Sequence, residues 1–69
     1  MEFREIDTVL GDSLTPGDLF YEDGSHLRIL SIGDDEGDMI NVKVYNLDED
    51  ENDDWLVNPD ENYVIFEVS

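Results

Sequence analysis

Apolar residues in this chain never run longer than four in a row, and turn-forming residues separate the short blocks. Leu19-Phe20-Tyr21, Trp55-Leu56-Val57 and Tyr63-Val64-Ile65-Phe66 are such blocks. A helix that buries one face needs apolar residues at spacings of three and four over ten or more positions, whereas a strand needs only four to eight residues of period two. Alanine is absent, while Val, Ile, Phe, Tyr and Trp recur, a choice that suits pleated sheet better than helix. The punctuation therefore predicts a mainly β chain of short strands. Its 69 residues make one domain spanning 1–69.

Charge narrows the function classes. Twenty Asp and Glu stand against three Lys and Arg, a net charge of −17. That sign and density argue against direct binding to nucleic acid or to an anionic membrane surface. Without cysteine there is no disulfide framework, thiolate zinc site or cysteine nucleophile. A membrane span needs about 20 apolar residues, and no basic start followed by an apolar stretch marks a signal peptide. The expectation is a soluble, cytoplasmic protein. High net charge is also a mark of disorder, but 39% apolar and 10% aromatic residues are ordinary for a folded chain. A core this small contributes only about 3–5 kcal/mol net, and like charges repel. Salt, lower pH, a partner, or homodimerisation through strand edges would each add support.

Along the chain, Phe3, Ile6, Val9 and Leu10 fall at helical spacings, with Gly11 placed as a left-handed cap. Thr8 and Val9 are β-branched, so residues 1–13 are either a short helix or an extended arm. Thr15-Pro16-Gly17-Asp18 carries the preferences of a type II turn, and Asp23-Gly24 those of a tight hairpin turn. Between His26 and Ile32, Leu27 and Ile29 share one face while Leu30 and Ile32 share the other. Either both faces are buried or a bulge shifts the phase. Residues 33–38 read as a turn, and Met39 to Leu47 as a strand with Ile40, Val42 and Val44 inward. Residues 48–54 read as an acidic loop and Trp55-Leu56-Val57 as a short strand. Asn58-Pro59-Asp60-Glu61 reads as one helical turn, and Tyr63 to Val68 as a fifth strand.

This order, with a single helical turn before the last strand, resembles the SH3-like small barrels. The segment Leu14-Thr15-Pro16-Gly17-Asp18-Leu19 is similar to the hydrophobic, two-residue, Gly-Asp, hydrophobic opening of KOW-type domains. The resemblance covers residues 14–68 and implies a five-stranded barrel or strongly bent sheet. KOW-type domains often meet RNA or ribosomal partners through basic residues. Only Arg4, Arg28 and Lys43 are available here, so the fold carries over and that role does not.

Catalytic and metal chemistry find little to work with. A catalytic carboxylate pair needs one member buried in a pocket, and the pattern encodes no pocket. His26, the only histidine, reads as a half-exposed hairpin residue beside an acid. Asp48, Asp50 and Asn52 match the first three positions of an EF-hand loop. Asp53 then stands where glycine is needed and Pro59 where Glu is needed, so the motif fails. No enzyme activity, cofactor or metal site is expected.

The acids themselves remain. Thirteen of the 20 lie in residues 34–69. Duplex DNA carries one charge per about 1.7 Å, so 17 charges match about 29 Å of duplex, close to the roughly 28 Å diameter of a compact domain of this length. The leading expectation is an acidic inhibitor or regulator, phage or mobile-element encoded, that occupies the basic nucleic-acid-binding surface of another protein. Asp34, Asp35, Glu36 and Asp38, with Asp48, Glu49, Asp50, Glu51, Asp53 and Asp54, would stand in for phosphates. Trp55 is the candidate contact among them, with Tyr21 and Tyr45 as further aromatics. The bland reading of such charge runs is a solvated face, and of the aromatics, barrel wall. The alternative function is an SH3-like interaction module or phage assembly protein whose acidity serves solubility; the acidic surface of a halophile's protein is a third possibility.

Overall fold

The computed structural model describes residues 2–68, the side chain of Glu36 excepted. Six strands make one antiparallel sheet: β1 (Phe3–Leu10), β2 (Leu19–Glu22), β3 (Ser25–Glu36), β4 (Met39–Asn46), β5 (Glu51–Val57) and β6 (Asn62–Val68). Their order across the sheet is β1-β6-β2-β3-β4-β5, and the sheet does not close, leaving β1 and β5 as its edges. The mainly β expectation is met. The count of five is not, because residues 3–10, extended rather than helical of the two alternatives for this segment, form a full sixth strand that pairs with β6 from Phe3↔Val68 to Leu10↔Asn62. Their helical spacing is a by-product of a bulge at Ile6, which shifts the strand's phase between Glu5 and Asp7.

A single sheet with no covering layer can bury one face only by curling around it. The buried cluster comes from one face of five strands plus the β1–β2 connection: Leu14, Phe20, Leu27, Ile29, Val42, Val44, Val57, Tyr63 and Ile65. Five of these, from Phe20 to Val57, have 0% exposure, and Ile29 has 1%. Bulges supply curvature because each adds local twist. In β3 the register slips between Ile29 and Ser31 and again between Ile32 and Asp35. Leu30 is the extra residue of the first bulge. Ile32, opposite Val42, thereby rejoins the face of Leu27 and Ile29, while Leu30 stays 49% exposed. Of the two expectations for this segment, the bulge is the one realised.

The turns follow the local chemistry. Asp23 and Gly24 take φ of 51° and 81°, both positive as a two-residue type I′ hairpin demands. The Thr15–Asp18 turn closes with Asp18 N–H donating to the Thr15 carbonyl at 3.1 Å, and the Asp18 carboxylate accepts from Thr15 N–H at 2.8 Å. Residues 58–61 are not a helical turn. Glu61 N–H reaches the Asn58 carbonyl (3.2 Å) and Asp60 N–H the Asn58 side chain (2.9 Å), so the asparagine caps a tight turn that leads directly into β6. Among the described residues the one helical turn is a 3₁₀ turn, η1 (Gly11–Ser13).

Two expected loops are shorter than their composition suggests. β3 runs through Asp34, Asp35 and Glu36, leaving only Gly37 and Asp38 in the turn, and β5 begins at Glu51, leaving 47–50. Acidic residues have low strand propensity. Here β4 pairs with Asp35 and Glu36 on one side, past a bulge at Gly33-Asp34, and with Glu51 to Asp54 on the other, while the carboxylates of Asp34, Asp35, Glu51, Asp53 and Asp54 stay exposed. Among the described residues no helix is long and apolar enough to cross a membrane.

Gly11 is buried and does not have the left-handed backbone of a helix cap. Its N–H donates to the Glu61 carbonyl (2.9 Å), and Asp12 N–H donates to that of Pro59 (3.3 Å). A Cβ on Gly11 would overlap the Asn58 carbonyl oxygen and sit 2.8 Å from its carbon. Gly11→Ala is therefore expected to cost about 1–3 kcal/mol, read as a lower urea midpoint at unchanged slope. An unaltered midpoint would show that η1 is not locked against the 58–61 turn.

Candidate functional site

The acidic segments singled out in the sequence do not form one patch. Asp35, opposite Ile40, belongs to the core-side face and lines a groove that also includes Asp38. Asp34 instead lines a shallow depression on the other side with Asn41, Lys43 and Asp54. The side chain of Glu36 lies outside the described residues. Asp53 and Asp54 are exposed on edge strand β5, opposite Val44 and Lys43. Asp54 forms an ion pair with Lys43 at 2.6 Å. Glu51, opposite Asn46, is exposed on the same edge, and Asp50 sits in the preceding turn with φ 55°.

The 47–50 turn is organised from inside. Asn46 is the only buried polar side chain among the described residues, and its Oδ1 accepts the N–H groups of Asp48 and Glu49, each at 2.9 Å. Asp48 is then taken up structurally. Its Oδ2 accepts the His26 main-chain N–H at 2.6 Å and lies 3.0 Å from the His26 Nδ1. The main-chain bond first, and the ring second, hold the Asp48 carboxyl below the usual carboxylate range.

His26 is more enclosed than its hairpin position suggests. It stacks on Phe3 with ring centroids 3.5 Å apart and planes 7° from parallel. Tyr21 and Phe66 meet the same ring edge-on at 4.7 and 5.8 Å. These aromatics come from β1, β2 and β6, so the imidazole ties three strands together on the face opposite the core. Leu19, which pairs with Phe66 and Arg28, is 2% exposed on that face and extends the cluster. Sequence reasoning missed it because nothing local to His26 signals Phe3, 23 positions away.

Trp55 lies opposite Val42 and packs half-buried against the core, so the structure places it as sheet wall. Tyr45 is half-buried, and Tyr21 is 51% exposed beside His26. Tyr63 is buried, with its hydroxyl accepting from Asn58 N–H at 2.9 Å. Burial pushes its pKa up against the lowering effect of that bond, and the negative Glu61 and Glu22 add to the rise.

A groove of about 800 Å³ containing Asp35 and Asp38 lies between η1, the β3–β4 hairpin tip and the 58–60 turn. Asp12 and Asp60 complete its acidic rim. Neither stood out in the sequence, since each lies outside the acidic runs and only the Gly11 contact brings η1 beside the 58–61 turn. Basic charge is scarce everywhere. Arg4 pairs with Glu67 and Lys43 with Asp54, while Arg28 has no ion-pair partner among the described residues. Compared with protein-family models, curated proteins and solved structures, the chain matches none.

Because the Asp48 pKa is lower folded than unfolded, the His26–Asp48 contact stabilises the fold above the unfolded-state value, about 3.9, and ceases to as pH falls through the lowered one. Asp48→Ala is expected to melt earlier than wild type at pH 7, with the gap narrowing progressively below about pH 4. Thermal melts across that range check both halves. A gap that persists undiminished in acid would contradict the charge-based account.

Proposed function

We propose that this protein is a non-enzymatic inhibitor or regulator that occupies the basic nucleic-acid-binding surface of another protein in the manner of a DNA mimic. The observation that carries the reading is charge density. Seventeen net negative charges on a body 36 Å long amount to about one per 2 Å, against one per roughly 1.7 Å for duplex DNA. Few of these carboxylates are neutralised locally, and Glu51 and Asp53 of β5 with Asp34, Asp35 and Asp38 of the hairpin tip are exposed, open to Arg and Lys of a partner.

In this reading Glu51, Asp53 and Asp54 on edge strand β5, with Glu49 and Asp50 in the turn before it, form one acidic margin. Asp34, Asp35 and Asp38 at the hairpin tip contribute a second. Asp48 and Trp55 act by holding the frame rather than by touching the partner. Small size and a surplus of acid fit a phage- or mobile-element-encoded factor acting in the host cytoplasm. The strand arrangement is also compatible with an open variant of the SH3-like fold, since β2 to β5 form a meander and β6 returns beside β2.

A second reading, an SH3-like interaction module or assembly protein docking through apolar contacts, is favoured by the exposure of Leu30, Ile32 and Leu56, at 49, 42 and 47%. Salt separates the two, because screening weakens charge pairing while apolar contacts persist.

The test is to immobilise the chain, load host lysate, and elute first with duplex DNA and then with rising salt. A nucleic-acid-binding protein released by DNA or by about 0.5 M salt is expected. Glu51→Lys with Asp53→Lys should weaken its capture about tenfold or more at 0.15 M salt and flatten the salt dependence. A captured partner that neither DNA nor salt displaces would overturn the mimic reading in favour of apolar docking.

A further inference from the structure

The groove beside η1 combines an apolar floor with an acidic rim and, unlike the depressions that hold Lys43 or Arg28, has no basic residue in its lining. Ile32, Met39 and Ile40 line it. Ile32 faces the core side of the sheet, opposite Val42, yet remains 42% exposed because it lies beyond the reach of the buried cluster. One wall is fixed by the main-chain bonds from Gly11 to Glu61 and from Asp12 to Pro59. The other is the hairpin tip, turned by Gly37 at φ 67°. Around this floor stand the carboxylates of Asp12, Asp35, Asp38 and Asp60, none of them in an ion pair among the described residues.

The chemistry of the groove selects among occupants. A second copy of this chain would bring the same net charge of −17 against the acidic rim. A chelated metal ion is a poor match, since among the described residues no three acidic or histidine side chains are grouped to hold one. Carboxylates spread around an apolar floor suit several separate cationic groups attached to one apolar body. The aliphatic stems of Arg and Lys can themselves cover apolar surface while their heads reach the rim.

We infer that this groove is a docking site for a short peptide segment of a protein partner, in which one aliphatic residue is flanked on both sides by Arg or Lys. The aliphatic side chain sits on Ile32, Met39 and Ile40, and the flanking cations meet the four rim carboxylates. The inference rests on the reading of the partner as a basic protein and adds to it. Charge alone would let the protein bind any basic surface, whereas the floor rewards a particular apolar residue within one. Rim charges would accelerate encounter and the floor would set the lifetime of the complex.

Methyl and amide NMR of the full chain in 0.15 M NaCl tests this with two probes, acetyl-Lys-Arg-Ile-Arg-Lys-amide and acetyl-Lys-Arg-Gly-Arg-Lys-amide. The isoleucine peptide is expected to bind about tenfold tighter, the worth of one buried aliphatic side chain, and to shift the methyls of Ile32, Met39 and Ile40. Ile32→Ser, at a half-exposed position, should remove most of that preference while leaving the weaker glycine-peptide binding in place. Asp35→Asn with Asp38→Asn should weaken both peptides alike. Equal binding of the two peptides, or shifts confined to the β5 acids with the floor methyls unmoved, would overturn the inference. Its failure is separable from that of the mimic reading. A DNA-displaceable partner captured alongside equal peptide binding would sink only the groove, and a selective groove without such a partner would sink only the mimicry.

Discussion

One sheet has to bury its own face. Among the described residues no helix or second sheet covers the core, so Phe20, Leu27, Val42, Val44 and Val57 reach full burial only because the strands bend around them. The bulges at Ile6, Leu30 and Gly33-Asp34 follow from that requirement, since an unbroken ladder would be too flat. On the opposite face the ring of Phe3 nevertheless stacks on that of His26, although β6 and β2 lie between their strands in the sheet. The bending also leaves Ile32 on the core side but past the core, where it becomes the floor of a groove. Fold and candidate site thus share one cause.

The carboxylates divide into two physical groups. Some are engaged by the chain itself: Asp18 closes a turn, Asp48 holds His26, Asp54 pairs with Lys43 and Glu67 with Arg4, and Asp7 and Asp53 each accept the next residue's N–H on an edge strand. The last two matter because β1 and β5 are open edges, where unpaired main-chain groups invite another strand. Acids along both edges oppose such pairing by charge and occupy one donor on each. Others, such as Asp12, Asp35, Asp38 and Asp60, are exposed and have no ion-pair partner among the described residues, and under the proposed function they would meet a basic partner. Stability and binding therefore draw on the same scarce balance of charge, and a partner rich in Arg and Lys would relieve the repulsion that the free protein carries.

Legibility in the sequence followed the range of the forces. The Asp23-Gly24 and Thr15–Asp18 turns were readable because their conformations are fixed within four residues. The inward set Ile40, Val42 and Val44 was readable from period two alone, although Ile40 ends half-buried at the margin of the core. Residues 3–10 were ambiguous because a bulge mimics helical spacing, and only pairing with β6 decides for strand. The 34–36 and 51–54 segments read as loops because their composition is that of loops, and only β4 makes them strand.

Composition and local pattern by themselves determined that this chain is mainly β and that its surface carries a large excess of negative charge, −17 in all. Those properties depend on totals and on neighbours in sequence. Tertiary structure alone decided which acids stand together: Asp12 and Asp60 join Asp35 and Asp38 across intervals of more than 20 residues, while adjacent Asp34 and Asp35 part to different faces. The physical reason is that strand pleat separates neighbours and sheet curvature unites distant segments, and neither is encoded at the position it affects.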